Sequence, residues 1–336
     1  MPTDQSRSIV RLAIGTTMVF TIGLLIGWPM AFLGAVFTAL FLQAPAALPT
    51  KVSIKLFVFA LLVMGTSWVL SMLLTPYPLV FLASVCLAIV ASFKWTMAGA
   101  GILPGVLALM AAMMVPNVVY MSPDIGLLIA GWVPVNLLVA GYASALMFVI
   151  IPNKAQIAPA QKKAATADFD PTRRLVRMSL VTIPFALVFY ISGSSAILTL
   201  FFVALLSQQL AAMSGAGLAV GKAMLLSNTL GAIVGMICFE INVIAPSIVT
   251  PALLCLLFCL TLGVLGKSKN KLAPAAGSAI TTALVIYGGS IGYFADEADT
   301  KSITRVLQIG SAVAFVILAY IVVDEFWPEK KRQSAR

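Results

Sequence analysis

The sequence has no histidine, and only 11 of its 336 residues are aspartate or glutamate. Without imidazole there is no Ser-His-Asp triad, no histidine general base and no His-ligated metal. Among the sparse carboxylates, no aspartate pair at short spacing is expected at a helix end, where magnesium-bound diphosphate would be held. Cysteine is equally scarce: Cys86, Cys238, Cys255 and Cys259 all sit inside apolar runs. Cys255 and Cys259 lie one helical turn apart, but thiols in an apolar helix with no histidine available read as small packing side chains rather than as a metal site. GAGLAVGKA from Gly215 looks like a phosphate loop, yet a Walker motif needs glycine at 216 and Ser or Thr at 223, where Ala216 and Ala223 stand. Enzyme chemistry, ATP hydrolysis, a metal and a cofactor are therefore not expected.

Charge is the last scarcity. Charged residues make up 10% of the chain and apolar ones 61%, whereas a soluble domain has about 25% charged residues. Such a chain belongs in a bilayer. At roughly 20 residues per crossing, apolar segments are predicted at 9–27, 30–44, 54–74, 78–93, 97–115 and 125–151. In the second half they are predicted at 174–192, 195–212, 218–239, 244–265, 273–294 and 303–323. Arg7 and Arg11 ahead of the first run give it the flavour of a signal peptide, but the run continues without a cleavage site and reads as an uncleaved helix. The one long polar stretch, Pro152–Thr172, is rich in Ala, Pro and Lys and reads as a linker.

The net charge of +10 does not point to nucleic acid, because the cations are placed by topology. Of the 21 lysines and arginines, all but Lys301 and Arg305 fall at the two chain ends, in the linker or in alternate loops. By the positive-inside rule this pattern puts both termini and the linker in the cytoplasm of a bacterial inner-membrane protein. Trp28, Tyr77, Tyr120, Trp132, Tyr190 and Tyr293 lie at or near the expected outer ends of spans, and Trp95 and Trp327 near inner ends, as interfacial aromatics do.

The stretch from Arg11 to Gln43 occurs twice. A shift of 166 residues puts Arg11 on Arg177, Gly27 on Gly193, Gln43 on Gln209 and Gly65 on Gly231. The expected architecture is an all-α polytopic membrane protein of about twelve helices, built as two parallel six-helix repeats. Residues 1–151 form the first repeat, 152–172 the linker, and 173–336 the second repeat with a short tail.

Polar residues in costly places are the candidate site. Gln43, Gln208 and Gln209 close the second helix of each half; they face the bundle interior, or are ordinary helix-end residues at the headgroups. Arg11 and Arg177 open the first helix of each half, as orientation anchors or as cations that draw an anionic substrate from the cytoplasm. Related by an axis along the membrane normal, these arginines and glutamines would converge near the cytoplasmic mouth. Glu240, in an apolar context near the outer end of the ninth span, is a proton-coupling candidate or a plain loop carboxylate. Asn228 precedes Gly231 and Gly235, a small-xxx-small pair suited to close helix packing, and Asn136 stands beside Pro134. Span 30–44 is short. Span 97–115 carries Gly99, Gly101, Pro104 and Gly105, and its counterpart 273–294 carries Pro274, Gly277, Gly288 and Gly289. Interrupted helices in matching positions of two halves are pointers to a transport site.

Arg11, Trp28, Gln43, Pro45, Lys55 and Gly65, followed by Arg177, Gln209, Lys222, Gly231 and Gly235, give the chain a pattern that resembles the fusaric-acid-resistance and aromatic-acid-exporter superfamily. The resemblance covers nearly the whole chain and implies two six-helix halves. Larger members carry a substantial cytoplasmic domain where this chain has only its linker, so it looks like a compact branch. The resemblance implies an efflux permease for small anionic or amphipathic aromatic compounds, partnered by a periplasmic membrane-fusion (adaptor) protein. A non-transporting subunit that anchors an adaptor or an envelope complex is the alternative, favoured by the low number of ionisable groups within spans. Expected partners are the bilayer, the small-molecule substrate and the adaptor, not nucleic acid; self-association as a homo-oligomer stays open.

Overall fold

A computed structural model describes residues 4–153, 171–191 and 217–291, together with separate helical positions between 314 and 326. Among the described residues there is no strand. The helices are α1 (Asp4–Leu25), α2 (Ala31–Gln43), α3 (Thr50–Leu74), α4 (Pro78–Trp95), α5 (Ile102–Met121), α6 (Pro123–Ile150), α7 (Pro171–Ile191), α8 (Gly217–Ile244), α9 (Val249–Lys267) and α10 (Ala273–Ile291), with a π-helical turn, Thr96–Ala100, between α4 and α5. Eight described helices are long and apolar enough to cross a membrane. The protein is a multi-pass helical membrane protein. Of the expected spans, 195–212 and most of 303–323 lie outside the described residues, as does most of the linker.

Two expectations are corrected. The spans expected at 218–239 and 244–265 are separated later, at Ala245–Ile248, because Ser247 starts α9: its Oγ accepts the Thr250 backbone N–H at 3.1 Å, and Thr250 Oγ1 donates to Ala245 O at 2.8 Å. Glu240 consequently sits inside α8. The second correction concerns 273–294, expected to be interrupted like 97–115. Its α10 is a continuous helix, and its glycines serve packing instead. A Cβ on Gly277 would lie 2.5 Å from Gln43 Oε1, and Gly288 lies against Phe32 and Phe20.

The chain divides into two compact units, each drawing on both halves of the sequence. The first contains 1–58, 132–160 and 223–307. Here α1 packs on α2 and α9, α9 on α10, and α10 on α2, closing a ring of four helices. Aromatic side chains fill it: the Tyr287 ring is 5.9 Å from Phe20 and 6.5 Å from Phe258. Cys238, Cys255 and Cys259 are buried free thiols in this unit, as packing residues should be. Helix α8 docks on α10 through glycine, since a Cβ on Gly231 would meet Ala279 O at 2.5 Å and one on Gly235 would meet Ile286 Cβ at 3.0 Å.

Helix α2 explains why this unit is built as it is. Its 13 residues give a length of about 20 Å, short of the roughly 30 Å of a hydrocarbon core. It is apolar on every side, and eleven of those 13 residues are buried. The turn before it closes α1 with a Schellman motif, in which Trp28 N–H donates to Gly23 O at 2.8 Å around Gly27 at φ 62°. Trp28 then packs edge-on against Trp132 at 5.2 Å, and Asn136 Nδ2 donates to Pro29 O at 3.2 Å.

The second unit contains 59–131, 161–222 and 308–336. Helix α4 packs on α5 and α7. The Tyr190 ring of α7 meets Phe81 edge-on at 5.6 Å, and Trp68 Nε1 donates to Pro123 O at 3.2 Å. Helix α5 of this unit and α10 of the first are each 78% buried along their spanning windows, against 17–44% for the other candidate spans among the described residues.

Since α1 and α2 bury their apolar faces on α9 and α10, the first half should not persist alone. Fragment 1–160 expressed by itself is expected to be degraded, and co-expression with 161–336 should restore both, as read by immunoblotting of membranes. A stable, protease-resistant 1–160 fragment would contradict this packing.

Candidate functional site

The last carbonyls of an α-helix have no partner within the helix, and its C-terminal end carries partial negative charge. Arg11 supplies what the end of α6 needs. Its Nη1 donates to Ile151 O at 3.2 Å and to Asn153 Oδ1 at 2.8 Å, and its guanidinium lies 3.7 Å from the centre of the Phe148 ring. Asn153 in turn donates from Nδ2 to Pro45 O at 3.0 Å, so one cation ties α1 to the end of α6 and to the segment after α2. Arg11 is only 1% exposed, and among the described residues no carboxylate faces it. Arg7 adds a donation to Pro152 O at 3.4 Å, and Gln5 Nε2 donates to Lys267 O at 2.9 Å.

Gln43 closes the same end of the unit, its Nε2 donating to Gly277 O at 3.3 Å across α2 and α10. The starts of α1 and α10 and the ends of α2, α6 and α9 therefore gather together, and Arg11 and Gln43 with them. Asn228 lies elsewhere: buried between α8 and α10, its Oδ1 accepts from Thr282 Oγ1 at 2.8 Å. It stands just before Gly231 and Gly235, where packing is tightest. Glu240 is exposed on α8. Arg177 is buried on α7 in the second unit, and Gln208 and Gln209 lie outside the described residues.

The second unit holds a feature that these candidates do not touch. A cleft of about 360 Å³ lies between α3, α4 and α5. One wall is aromatic, with Phe59 and Trp95 rings 4.8 Å apart. The rest combines aliphatic side chains such as Val63, Leu70 and Val85 with small residues and hydroxyls, among them Ser67, Ser71, Ser84, Ala88, Ser92 and Ala108. Ser67 Oγ donates to Ala111 O, Ser71 to Ser67 O, Ser84 to Phe81 O and Ser92 to Ile89 O. Such backbone bonds are what let serine sit in an apolar helix.

Trp95 and Ser92 stand immediately before the break in the helix pair. Gly99 has φ 103° and Gly101 φ 90°, backbone angles that a side chain would strain. A Cβ on Gly99 would meet nothing within 4 Å, so it is backbone conformation, not crowding, that requires glycine there. The interruption expected in 97–115 is thus present, next to the cleft. The cleft itself was missed by reasoning from costly polar residues, because serine and alanine are cheap in a span. Its signal is a stripe of small residues at helical spacing: Ser67 and Ser71, then Ser84, Ala88, Ala91 and Ser92, then Ala108, Ala111 and Ala112.

Residues 8–151 match a family model described as "Protein of unknown function (DUF2955)". That stretch is less than half of the chain; it contains the cleft and, of the Arg11 joint, Arg11, Pro45, Phe148 and Ile151 but not Asn153. No curated protein and no solved structure matches the chain.

If Arg11 is a joint, removing it leaves Ile151 O and Asn153 Oδ1 without their donor. Arg11→Met should destabilise the protein by about 1–3 kcal/mol, seen as a lower unfolding midpoint in detergent, and Asn153→Ala should give a smaller shift the same way. Unchanged midpoints in both variants would deny the joint.

Proposed function

We propose that this protein is an inner-membrane efflux permease that exports small anionic or amphipathic aromatic compounds, working with a periplasmic membrane-fusion (adaptor) protein. The observation that carries the reading is the cleft of about 360 Å³ in the second unit, walled by an aromatic pair and bordered by the interrupted turn at Thr96–Ala100. Small-molecule sites are concave and mostly apolar with a few placed polar groups, and broken helices are where transporters place them. The resemblance to the aromatic-acid exporters supplies the substrate class and the adaptor.

The same reading takes the architecture as twelve spans in two parallel repeats, 1–151 and 173–336, with both termini and the 152–172 linker cytoplasmic. Three packing relations support it. Helices α1 and α7 open the two halves, and α9 and α4 are the fourth segments of the opposite halves; α1 packs on α9, and α7 packs on α4. The fifth segments, α5 and α10, are the two most buried spans. Arg7, Arg11 and Lys267 share one end of the first unit, the end assigned here to the cytoplasm.

The second reading, a non-transporting subunit that anchors an adaptor, is favoured by one observation: Arg11 and Gln43 are engaged in joints between segments. Flux separates the two. The purified protein in liposomes should release an entrapped aromatic acid or phenol faster than empty liposomes do. No flux with intact adaptor binding would leave the subunit.

Topology has its own test. A cysteine replacing Lys162 should resist a membrane-impermeant thiol reagent in intact cells, while one replacing Ser122 should react. Labelling at 162 would remove the twelve-span reading.

A further inference from the structure

The lining of the cleft says which form of a ligand it takes. Among the described residues, no charged side chain lines it. An anion moved there from water would lose its hydration and find no counter-ion, a loss that a few hydroxyl contacts do not restore. The hydroxyls are also oriented. A serine carries one proton to donate and lone pairs to accept with, and the protons of Ser67, Ser71, Ser84 and Ser92 are all committed to backbone carbonyls. What remains toward the cleft is acceptor capacity; Thr66 is the one lining hydroxyl among the described residues whose proton is uncommitted. A carboxylate, which only accepts, meets the wrong partners, and a group with an O–H or N–H meets the right ones. Size and shape narrow the ligand further. A cavity of roughly 150 Å³ holds a benzene ring, so about 360 Å³ holds one or two fused rings with a substituent. Phe59 and Trp95 offer such a ring aromatic surface for offset or edge contact.

We propose that the cleft between α3, α4 and α5 binds the uncharged form of a small ring compound that bears an O–H or N–H donor, an inference that rests on the permease reading for its place in transport. For a weak aromatic acid the species bound there is the protonated acid; for a phenol or aniline it is the molecule as it stands at neutral pH. A lipid acyl chain is the competing occupant, and it has neither a ring to meet Phe59 and Trp95 nor a donor for the serine oxygens.

The test uses the full chain in nanodiscs of zwitterionic lipid, with empty nanodiscs correcting for partition into lipid. Three probes share one ring system: 2-naphthol, neutral with a donor; naphthalene, neutral without one; and 2-naphthoate, an anion at neutral pH. 2-Naphthol is expected to bind at least about tenfold tighter than either of the others, a tenfold ratio corresponding to about 1.4 kcal/mol. The double variant Ser71→Ala/Ser84→Ala should lose most of that preference while leaving naphthalene binding unchanged. Ala88→Phe, at an exposed position on the lining, should fill the cleft and abolish binding of both neutral probes. If that variant does not yield monodisperse protein, Ala108→Leu on the α5 wall replaces it.

Equal or tighter binding of 2-naphthoate would overturn the proposal, as would 2-naphthol binding that survives the cleft-filling variants. Equal binding of naphthalene and 2-naphthol, indifferent to the serine variants, would also overturn it and leave an apolar groove suited to an acyl chain. The expected binding pattern without flux in liposomes would remove the permease reading and leave this one standing.

Discussion

Hydrocarbon offers a peptide group no hydrogen-bond partner, so wherever a membrane helix stops or bends, protein atoms must take the place of water. Much of this molecule is a set of answers to that demand. Helix α2 is shorter than a hydrocarbon core is thick and is largely enclosed by protein, with its entrance fixed by the Gly27 turn and its exit by Gln43 on Gly277 O. The end of α6 is held by Arg11. An arginine suits that place better than a lysine would, because its planar guanidinium bonds two acceptors while stacking on Phe148. The break between α4 and α5 obeys the same rule from the other side. It is confined to the turn Thr96–Ala100 and the residue after it, with glycine at both positions of positive φ, so few peptide groups leave the helical ladder.

That demand also bears on how the two halves are used. A short buried helix cannot cover itself, and α2 is covered by α1 from its own half and by α10 from the other. Helices α9 and α10 from the second half of the sequence thus complete α1 and α2 of the first. In the second unit, α7, which opens the second half, lies on α4 from the first. Each compact unit therefore draws its core from both halves of the sequence. The matched family region, 8–151, likewise lies across both compact units.

Most of the helices were legible because a bilayer imposes one period and one minimum length. Apolar runs bounded by Gly27-Trp28-Pro29 or by Pro76-Tyr77-Pro78 leave little freedom in where a helix starts. The boundary near residue 245 was less legible, since Ser247 acts through a side-chain hydrogen bond that an apolar run does not announce. The glycines of α10 misled for a related reason. Gly277 and Gly288 carry no sign of whether they relax the backbone or admit a neighbour, and only the packing of Gln43, Phe32 and Phe20 decides for the neighbour. Gly99 and Gly101 look the same in sequence and fall on the other side. The pair Gly231 and Gly235 was legible as a close helix contact, because small residues four apart leave one surface with few alternatives.

Attention to costly polar residues led to Arg11 and Gln43, which form joints, and away from the cleft, whose hydroxyls cost little. The reason reaches into function. A carrier that binds an anion within the membrane needs a fixed cation, and the scarcity of ionisable groups in these spans argued against transport on that ground. A cleft suited to an uncharged ring compound needs no fixed charge. On the proposed reading, the electrostatic work of moving an aromatic acid is done by proton exchange in water before the ligand enters, where solvation of either form is cheap, and not by a buried counter-ion. Under that arrangement few buried charges are what a permease for such compounds should have, and the scarcity no longer separates a carrier from a scaffold.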